Sequence, residues 1–314
     1  MYYLVLIALY LKVIIFFFLI CTLNLISVDV YDAVPTNVTT FIVVVPKISI
    51  LILLLEWIFH LGLSLPSSLS YANVLLISSL LSLIVGTVGG LVQFRLKRLL
   101  AYSSISHMGF MLLALVGLTQ QSVQAFLFYL IQYSLSNINI FFIVVAIGYS
   151  LKKNNEINLN LVDRENSPLQ LISQLKGYFK HNPVLAVSFA ITLFSFIGVP
   201  PLVGFFGKQA VLSAALQNGH VFLCVIAILT SVIGGVYYLL LVKEIFFSDN
   251  SGKEDSSLFS ETTKLTNGKY VQTLLSSSLT IPISVITLMI LLFILSPNIL
   301  LSSANIFALI LFMT

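Results

Sequence analysis

The sequence predicts an all-α, polytopic membrane protein: a bundle of about eight transmembrane helices, one of them discontinuous. Of its 314 residues, 59% are hydrophobic and 8% are charged, and the mean hydropathy is +1.07. An ordinary globular domain is about 25% charged. The apolar residues also form long runs, and about 20 such residues cross a bilayer core. The composition therefore excludes a soluble globular protein, a disordered chain and a nucleic-acid binder.

Eight segments are long and apolar enough to span a membrane. They are residues 2–27, 38–63, 72–94, 99–118, 123–150, 183–218, 221–247 and 271–296. The first run is too long for a signal peptide and lacks a basic start and a cleavage site, so we interpret it as a retained span. The tail from Pro297 to Thr314 is apolar, but it is too short, and its apolar run too interrupted, to form a ninth span. Residues 1–314 thus form one transmembrane domain, with polar loops at 27–37, 151–182 and 248–270.

The basic residues lie in alternate loops. The third loop holds Arg95, Lys97 and Arg98, and the fifth and seventh loops hold further lysines and arginines, whereas the second, fourth and sixth loops hold none. Because alternate loops share a face of the membrane, this asymmetry supports the span count. The positive-inside rule predicts that the basic face is the cytoplasm or the mitochondrial matrix. The fifth loop, 151–182, is a polar connector that can hold a short surface helix.

Three lysines lie where a charge is costly. Lys12, Lys47 and Lys208 each fall within a predicted span, and a charge at mid-bilayer costs ~2.5–3.5 kcal/mol or more. Such a residue is a functional candidate by default, with a structural lysine bonded to a carbonyl as the alternative. Because desolvation disfavours the charged form of a lysine, a buried lysine exchanges a proton near neutral pH more readily than an exposed one.

Glu56 and His60 form a further ionisable pair, one turn apart on one helix face. Glu56 follows Lys47 by nine positions, which is about half a rotation, so the two side chains are expected to point to opposite sides. We do not pair them. A contact with a neighbouring subunit is the preferred interpretation of Glu56 and His60.

The sixth span is too long for one helix. A continuous helix over 183–218 would measure about 54 Å, against a bilayer core of about 30 Å. It contains the sequence GVPPLVG at 198–204, whose prolines remove backbone donors, and Lys208 follows one turn later. A discontinuous helix beside a buried charge is typical of an ion site in a transporter, and a proline kink with no transport role is the alternative.

The two cysteines give no sign of a disulfide or of a metal site. Cys21 and Cys224 both lie in apolar runs, so no disulfide framework is implied. The sequence also has no Cys/His spacing of the kind that binds a metal ion.

Three motifs carry a resemblance to a known family. They are KRLLAYSSISHMGF at 97–110, FIGVPPLVGFFGK at 196–208, and DVYDAVPT at 29–36 followed by PKISI at 46–50. The first resembles the antiporter-like membrane subunits of respiratory complex I. The lysine after the break, and the third motif, resemble the subunit-2 family of mitochondrial NADH dehydrogenase (ubiquinone), fungal type. The resemblance extends over residues 29–300.

The resemblance implies roles for four residues in proton translocation. Lys47 matches the central lysine between half-channels, Lys208 the terminal lysine, and Lys12 the lysine of the first half, although the Pro, His and Trp that normally follow it are missing. His107 is a candidate proton relay, with a hydrogen-bonded structural histidine as the alternative. The hydroxyls of residues 102–104 are interpreted as helix packing, with a place in a water chain as the alternative.

The resemblance also implies a setting for the chain. It would be a subunit of a proton-translocating NADH:ubiquinone reductase whose redox sites lie in other subunits, so the chain itself would bind no cofactor, while the whole complex uses NADH and ubiquinone. Its partners would be other membrane subunits of complex I and the lipid bilayer, with cardiolipin as a candidate lipid, and no nucleic acid. Its location would be the mitochondrial inner membrane, with the basic loops on the matrix side.

The family's full form has about fourteen helices arranged around inverted repeats, and the eight spans match the last eight of these. We therefore expect this sequence to be part of a longer subunit and to lack the N-terminal helices of that subunit. Two other functions stay open: a cation/proton antiporter subunit, which shares the motif at 97–110, and a non-pumping structural or truncated remnant of the subunit.

Overall fold

The computed structural model describes residues 28–64, 71–153, 167, 169–247, 277–295 and 297–313, and these residues are almost entirely helical. Within these described ranges, residues 28–33 are helical and precede nine α-helices. The nine are α1 Thr36–Ser64, α2 Tyr71–Leu91, α3 Leu96–Leu115, α4 Gln120–Lys153, α5 Pro183–Ile197, α6 Val203–Gln217, α7 Val221–Phe246, α8 Ser277–Leu292 and α9 Asn298–Met313. Short 3-10 turns lie at Ile172–Leu175, Tyr178–Lys180 and Phe293–Leu295.

Helices dominate because the backbone of a membrane span must satisfy its own hydrogen bonds in the absence of water. Helix ends are fixed by local chemistry. At the start of α5, the Asn182 side chain accepts a hydrogen bond from the Leu185 amide at 3.3 Å, and Pro183 occupies the first turn, where its missing donor costs nothing. At the end of α5, Gly198 takes a positive φ of 89°, a conformation that favours glycine.

α3 and α4 form the centre of the bundle. The membrane-spanning window of α3 is 89% buried, against 22% for Ser278–Leu295, so α3 lies inside the protein and α8 at its surface. α4 contacts α1, α3, α5, α6, α8 and α9. The motif at 97–110 therefore lies on the most enclosed helix, where its serines and histidine face protein rather than lipid.

Glycines bring α2 and α3 close together. A methyl group on Gly86 would overlap the backbone of Ser106, and one on Gly89 would overlap the ring of Tyr102. Gly109 lies on α3, and a methyl group there would collide with Ser82 and Leu83 of α2. Small residues at these crossings allow membrane helices to approach closely without any hydrophobic driving force from water.

The basic loops meet at one end of the bundle. Arg95 forms a backbone bridge with Leu171 of the fifth loop, and the Gly177 amide donates to the Glu244 carbonyl, 3.1 Å away, at the end of α7. The opposite end is joined by a 3.0 Å hydrogen bond from Asn218 to Ser122. The third loop, the described part of the fifth loop and the end of α7 thus share one end, as the alternating charge pattern predicts. The seventh loop, 248–270, lies outside the described residues.

The same end of the bundle holds a group of charges that fixes the start of α1. The Arg95 guanidinium pairs with Asp32 at 2.5 Å, and the Nε atom of Arg98 lies 3.0 Å from the same carboxylate. Lys97 is 1% exposed, and its Nζ atom donates to the Val34 carbonyl at 2.8 Å and to Ser167 at 2.7 Å. These contacts hold residues 28–35 against the first turn of α3.

The predicted spans agree with the helices, with three qualifications. The predicted span 2–27 lies outside the described residues. Residues 183–218 form two helices separated at 198–202, as expected from the prolines. The fifth loop holds two 3-10 turns rather than an α-helix in its described part.

The tail after Pro297 forms a helix, α9, of 16 residues. At 1.5 Å per residue it measures ~24 Å, which is shorter than a full membrane span. Sequence reasoning recognised the short length but not the helix. α9 packs on α4: Ala304 and Ala308 are fully buried, and Gln120 donates to Asn305 at 3.3 Å.

We predict that cysteines introduced at Gln120 and Lys176 react from opposite faces of the membrane. Both side chains are exposed, and they lie at opposite ends of the bundle. The measurement is labelling with an impermeant maleimide in right-side-out and inverted vesicles, in a background where Cys21 and Cys224 are alanine. A cysteine at Lys243 is the control and should react from the same face as Lys176. Labelling of Gln120 and Lys176 from one face would contradict the helix arrangement.

Candidate functional site

Lys47 lies on the inner face of α1, directly after Pro46. Its side chain is buried, and its Nζ atom donates a 2.7 Å hydrogen bond to the Ser104 hydroxyl of α3. The same nitrogen lies 5.3 Å from the centre of the Tyr31 ring, within the range of a cation–π contact. The Ser104 hydroxyl in turn donates to the Ala101 carbonyl at 2.6 Å. The Lys47 ammonium group is therefore stabilised by the Ser104 hydroxyl of α3 and by the ring of Tyr31.

His107 lies three residues after Ser104, on the same side of α3. The ring is buried and is held between two tyrosines: Nδ1 lies 2.7 Å from the Tyr129 hydroxyl, and Nε2 lies 3.2 Å from the Tyr238 hydroxyl. One ring nitrogen of a neutral histidine donates and the other accepts, so the two hydroxyls complement either tautomer. This arrangement can pass a proton through the ring from one helix to another.

Tyr133 fills the space between Ser104 and His107. Its ring centre lies 5.0 Å from that of His107, and its hydroxyl lies near the side chains of Ser104 and Asn137. That hydroxyl is buried and makes no well-directed hydrogen bond to a described protein atom. A buried hydroxyl without a partner is a natural position for a bound water molecule.

The break between α5 and α6 creates the second cationic position. The Gly198 and Val199 amides both donate to the Phe194 carbonyl, at 3.0 and 3.1 Å, and the chain then passes through Pro200 and Pro201 before α6 begins. A side chain at Gly198 would lie 3.1 Å from Cδ of Lys208. Glycine at 198 thus supplies both the positive φ and the space for the lysine.

Lys208 reaches back across this break. Its Nζ atom donates a 2.8 Å hydrogen bond to the Ile197 carbonyl at the end of α5, and it lies 5.3 Å from the centre of the Phe110 ring of α3. The last carbonyls of a helix have no intrahelical partner, so the break provides the acceptor that this ammonium group needs. The lysine side chain is half-buried.

The two lysines and the histidine belong to one electrostatic group. On α3, Lys47 bonds Ser104, three residues before His107, and Lys208 lies against the ring of Phe110, three residues after it. In a low-dielectric interior, charges interact over such distances much more strongly than in water. The protonation of any one of the three groups therefore affects the other two. The ring centres of Tyr133 and Phe196 lie 5.0 and 5.2 Å from that of His107.

Of the predicted site residues, the structure brings Lys47, His107 and Lys208 together. Lys12 lies outside the described residues. Glu56 is exposed on α1 whereas Lys47 is buried, so the two do point to different sides. His60 belongs to α1, and its side chain is outside the described part. Among the described residues, no group of three or more His, Cys, Asp or Glu could hold a metal ion.

Sequence reasoning misses the three tyrosines around His107, which are Tyr129, Tyr133 and Tyr238. It names Ser104 for helix packing, with a place in a water chain as the alternative, and the structure makes Ser104 the hydrogen-bond partner of Lys47. Tyr102 does pack, against Gly89. The sequence pattern that could identify Ser104 as a site residue is its position one turn before His107, which puts both side chains on one face of α3.

The fold and this site define a class: a polytopic α-helical membrane protein with ionisable side chains beside a discontinuous helix, an arrangement typical of transporters. A family model described as the transmembrane region of NADH:quinone oxidoreductase and Mrp antiporter proteins matches residues 1–234. The chain belongs to this family.

Relatives in the family are named as chains or subunits of NADH-ubiquinone and NADH-quinone oxidoreductases. NADH-ubiquinone oxidoreductase chain 2 of Rhizopus oryzae is 50% identical over 294 residues, which are 90% of this chain and 54% of the relative. NADH-quinone oxidoreductase subunit N of Sphingopyxis alaskensis is 36% identical over 227 residues, 72% of this chain and 44% of the relative. The chain thus spans about half the length of the relatives it matches.

Solved structures agree with the fold. A chain of respiratory complex I from Thermus thermophilus, with bound aureothin, superposes with a TM-score of 0.64 and 25% identity over 88% of this chain and 53% of its own length. A chain of an archaeal membrane-bound sulfane sulfur reductase gives a TM-score of 0.71 at 21% identity, over 88% of this chain and 50% of its own. The second likeness concerns the fold alone.

We predict that replacing Gly204 with alanine destabilises the helix break. A methyl group at Gly204 would overlap the backbone carbonyl of Ser195 on α5, so α5 and α6 would have to separate, at a cost of about 1–3 kcal/mol. Gly235→Ala is the control, because its methyl group would make an ordinary 3.6 Å contact with Ile197. Thermal unfolding in detergent compares the two, and equal melting temperatures would contradict the close approach.

Proposed function

We propose that this chain is a membrane subunit of NADH:ubiquinone oxidoreductase, complex I, and that it takes part in proton translocation across the mitochondrial inner membrane. One observation carries the proposal: Lys47 and Lys208 contact α3 at Ser104 and Phe110, on either side of a buried histidine, His107, that is hydrogen-bonded on both ring nitrogens. The 50% identity to NADH-ubiquinone oxidoreductase chain 2 of Rhizopus oryzae supports the assignment to this complex.

In this proposal the protein moves protons and performs no redox chemistry. A proton taken up by Lys47 places a charge near His107, which makes protonation of the ring and of Lys208 less favourable. Release from Lys208 then allows the next transfer. Ser104, Tyr129 and Tyr238 supply the hydroxyl links. NADH and ubiquinone are used by other subunits of the complex, and this chain binds neither.

The charged end of the bundle supports an orientation. Lys176, Lys180 and Lys243 lie at the same end as Arg95, and by the positive-inside rule we assign that end to the matrix. The partners are the other membrane subunits of complex I and the surrounding lipid. Anionic lipid, cardiolipin included, is attracted to such basic clusters.

A cation/proton antiporter is the second candidate, because the matching family model also covers Mrp antiporter proteins. Sodium dependence separates the two. Translocation that is unchanged when sodium is removed supports the complex I function, and translocation that requires sodium supports the antiporter.

We predict that Lys47→Met and Lys208→Met abolish most of the proton translocation in the assembled complex. A positioned proton-transfer group contributes about 10²–10⁴-fold to a rate, so the rate of NADH-driven proton uptake should fall at least about ten-fold. Lys47→Arg should not restore it, because arginine stays protonated. The assay is proton uptake by reconstituted vesicles during NADH oxidation.

Lys176→Met is the control for both lysines, since Lys176 is exposed in the fifth loop. Its charge is solvated, so its replacement should leave pumping nearly unchanged. If all three variants behave alike, the lysine mechanism is wrong for this chain, and a non-pumping structural role becomes the better account.

We predict that Ser104→Ala lowers pumping by several-fold while Ser188→Ala does not. Ser104 accepts the hydrogen bond of Lys47, and loss of that acceptor leaves a buried ammonium group short of a partner. Ser188 is also buried, but its hydroxyl donates only to the Leu185 carbonyl in its own helix, at 2.8 Å. Equal pumping by the two variants would contradict a functional Lys47–Ser104 contact.

A further inference from the structure

A short helix, residues 28–33, precedes α1 and supplies one of the two contacts of the Lys47 ammonium group. Its Tyr31 is 1% exposed, and the centre of the Tyr31 ring lies 5.3 Å from the Nζ atom of Lys47. The face of an aromatic ring attracts an ammonium group through its charge, and a neutral amine lacks that charge. The position of this ring therefore affects how tightly Lys47 holds its proton.

Helix 28–33 depends on other elements for its position, because a helix of so few residues is not stable by itself. Val28 and Tyr31 are three positions apart and are both buried. Asp29 and Asp32 have the same spacing, and they pair with the arginines of the third loop. One face of this helix thus packs into the protein, and another face is held by charge.

The two aspartates of this helix differ in how they are held. The side chain of Asp32 is 9% exposed, and its Oδ2 atom lies 2.5 Å from Nη1 of Arg95 and 3.0 Å from Nε of Arg98. The side chain of Asp29 is 81% exposed and pairs with Arg98 at 3.3 Å. An exposed ion pair contributes little to stability, whereas an enclosed carboxylate depends strongly on its partners. Asp32 is therefore the charged anchor of helix 28–33.

Arg95 is itself held in place by the fifth loop. The Leu96 amide donates to the Gln170 carbonyl at 2.9 Å. The Ile172 amide donates to the Phe94 carbonyl at 3.1 Å. Because these two hydrogen bonds flank Arg95 on both sides, the backbone that carries its guanidinium group is fixed on a pairing between two loops.

A second attachment lies directly after helix 28–33. The Nζ atom of Lys97 donates to the Val34 carbonyl at 2.8 Å. Attachments at Asp32 and at Val34 together fix the direction of the helix as well as its end. With the Val34 attachment alone, the helix can turn about that point, and the Tyr31 ring then moves away from the buried lysine.

We propose that Asp32 is a positioning residue for proton exchange at Lys47. The two guanidinium groups hold Asp32, and Asp32 in turn keeps the Tyr31 ring against the Lys47 ammonium group. The ion pairs at the basic end of the bundle thereby act on a membrane-embedded group that they do not touch. This inference rests on the proposed function, because the position of the ring matters for translocation only if Lys47 exchanges protons.

The first test compares the two aspartates in the assembled complex. Asp32→Asn removes the charge at nearly constant size, so the rate of NADH-driven proton uptake by reconstituted vesicles should fall several-fold. Asp32→Glu keeps the charge and should retain most of the rate. Asp29→Asn is the matched control, one turn away on the same helix, and should leave the rate nearly unchanged because its ion pair is exposed. Equal rates in Asp32→Asn and Asp29→Asn would overturn the proposal.

The second test asks whether Asp32 acts through the ring. Tyr31→Leu removes the aromatic face and should lower the rate at least as much as Asp32→Asn does, whereas Tyr31→Phe keeps a face that attracts a cation and should retain most of the rate. The double variant Asp32→Asn/Tyr31→Leu should be no slower than Tyr31→Leu alone. Losses that multiply would mean that the two residues act independently, and they would overturn the proposal.

A cryo-EM map of the assembled Asp32→Asn complex separates a failure of this inference from a failure of the proposed function. The Tyr31 ring should lie farther from Lys47 than the ~6 Å range of a cation–π contact, and a ring that keeps its place overturns the positioning role at any measured rate. Arg95→Gln replaces Asp32→Asn if that complex does not assemble, and the same two outcomes apply. If the ring moves but Lys47→Met still pumps normally, the proposed function is wrong, and Asp32 positions the ring without a role in translocation.

Discussion

An ammonium group inside a membrane must be solvated by the protein, and this requirement governs how the helices are arranged. Lys208 obtains an acceptor only because α5 ends at Ile197 and leaves a carbonyl unused by the helix. Lys47 obtains one from a serine on a neighbouring helix. In both cases an aromatic ring, Phe110 or Tyr31, covers another side of the charge. The glycine and proline content of the break and the serine content of α3 are consequences of this need.

α3 contributes residues that contact both ammonium groups. It carries Ser104 for Lys47, Phe110 for Lys208, and His107 between them, within two turns of one helix. Its polar residues are tolerated because it is enclosed by the other helices and sees little lipid. The close glycine-mediated contact with α2 packs the other side of α3, away from Ser104 and Phe110.

The sequence alone predicted much of this arrangement. Long apolar runs gave the helices, the alternation of basic loops gave the shared end, and Gly198 and Pro200 gave the break, because each of these follows from a local cost that the chain cannot avoid. The partners of the lysines were less accessible. That Ser104 rather than Ser103 faces Lys47, and that Tyr238 reaches His107 from 131 positions away, depends on helix crossing and rotation, which no local pattern encodes. The α9 helix was missed because its length falls between a loop and a span.

The charges around Val34 have a consequence for movement. Lys97 fixes the start of α1 to the first turn of α3, and Lys47 fixes the middle of α1 to Ser104 further along the same helix. Two attachment points between one pair of helices remove sliding and rotation as low-energy displacements, because either motion breaks one of the two hydrogen bonds. A change of charge at Lys47 is therefore accommodated by side-chain rotamers and local hydration, while the backbones of α1 and α3 keep their relative position.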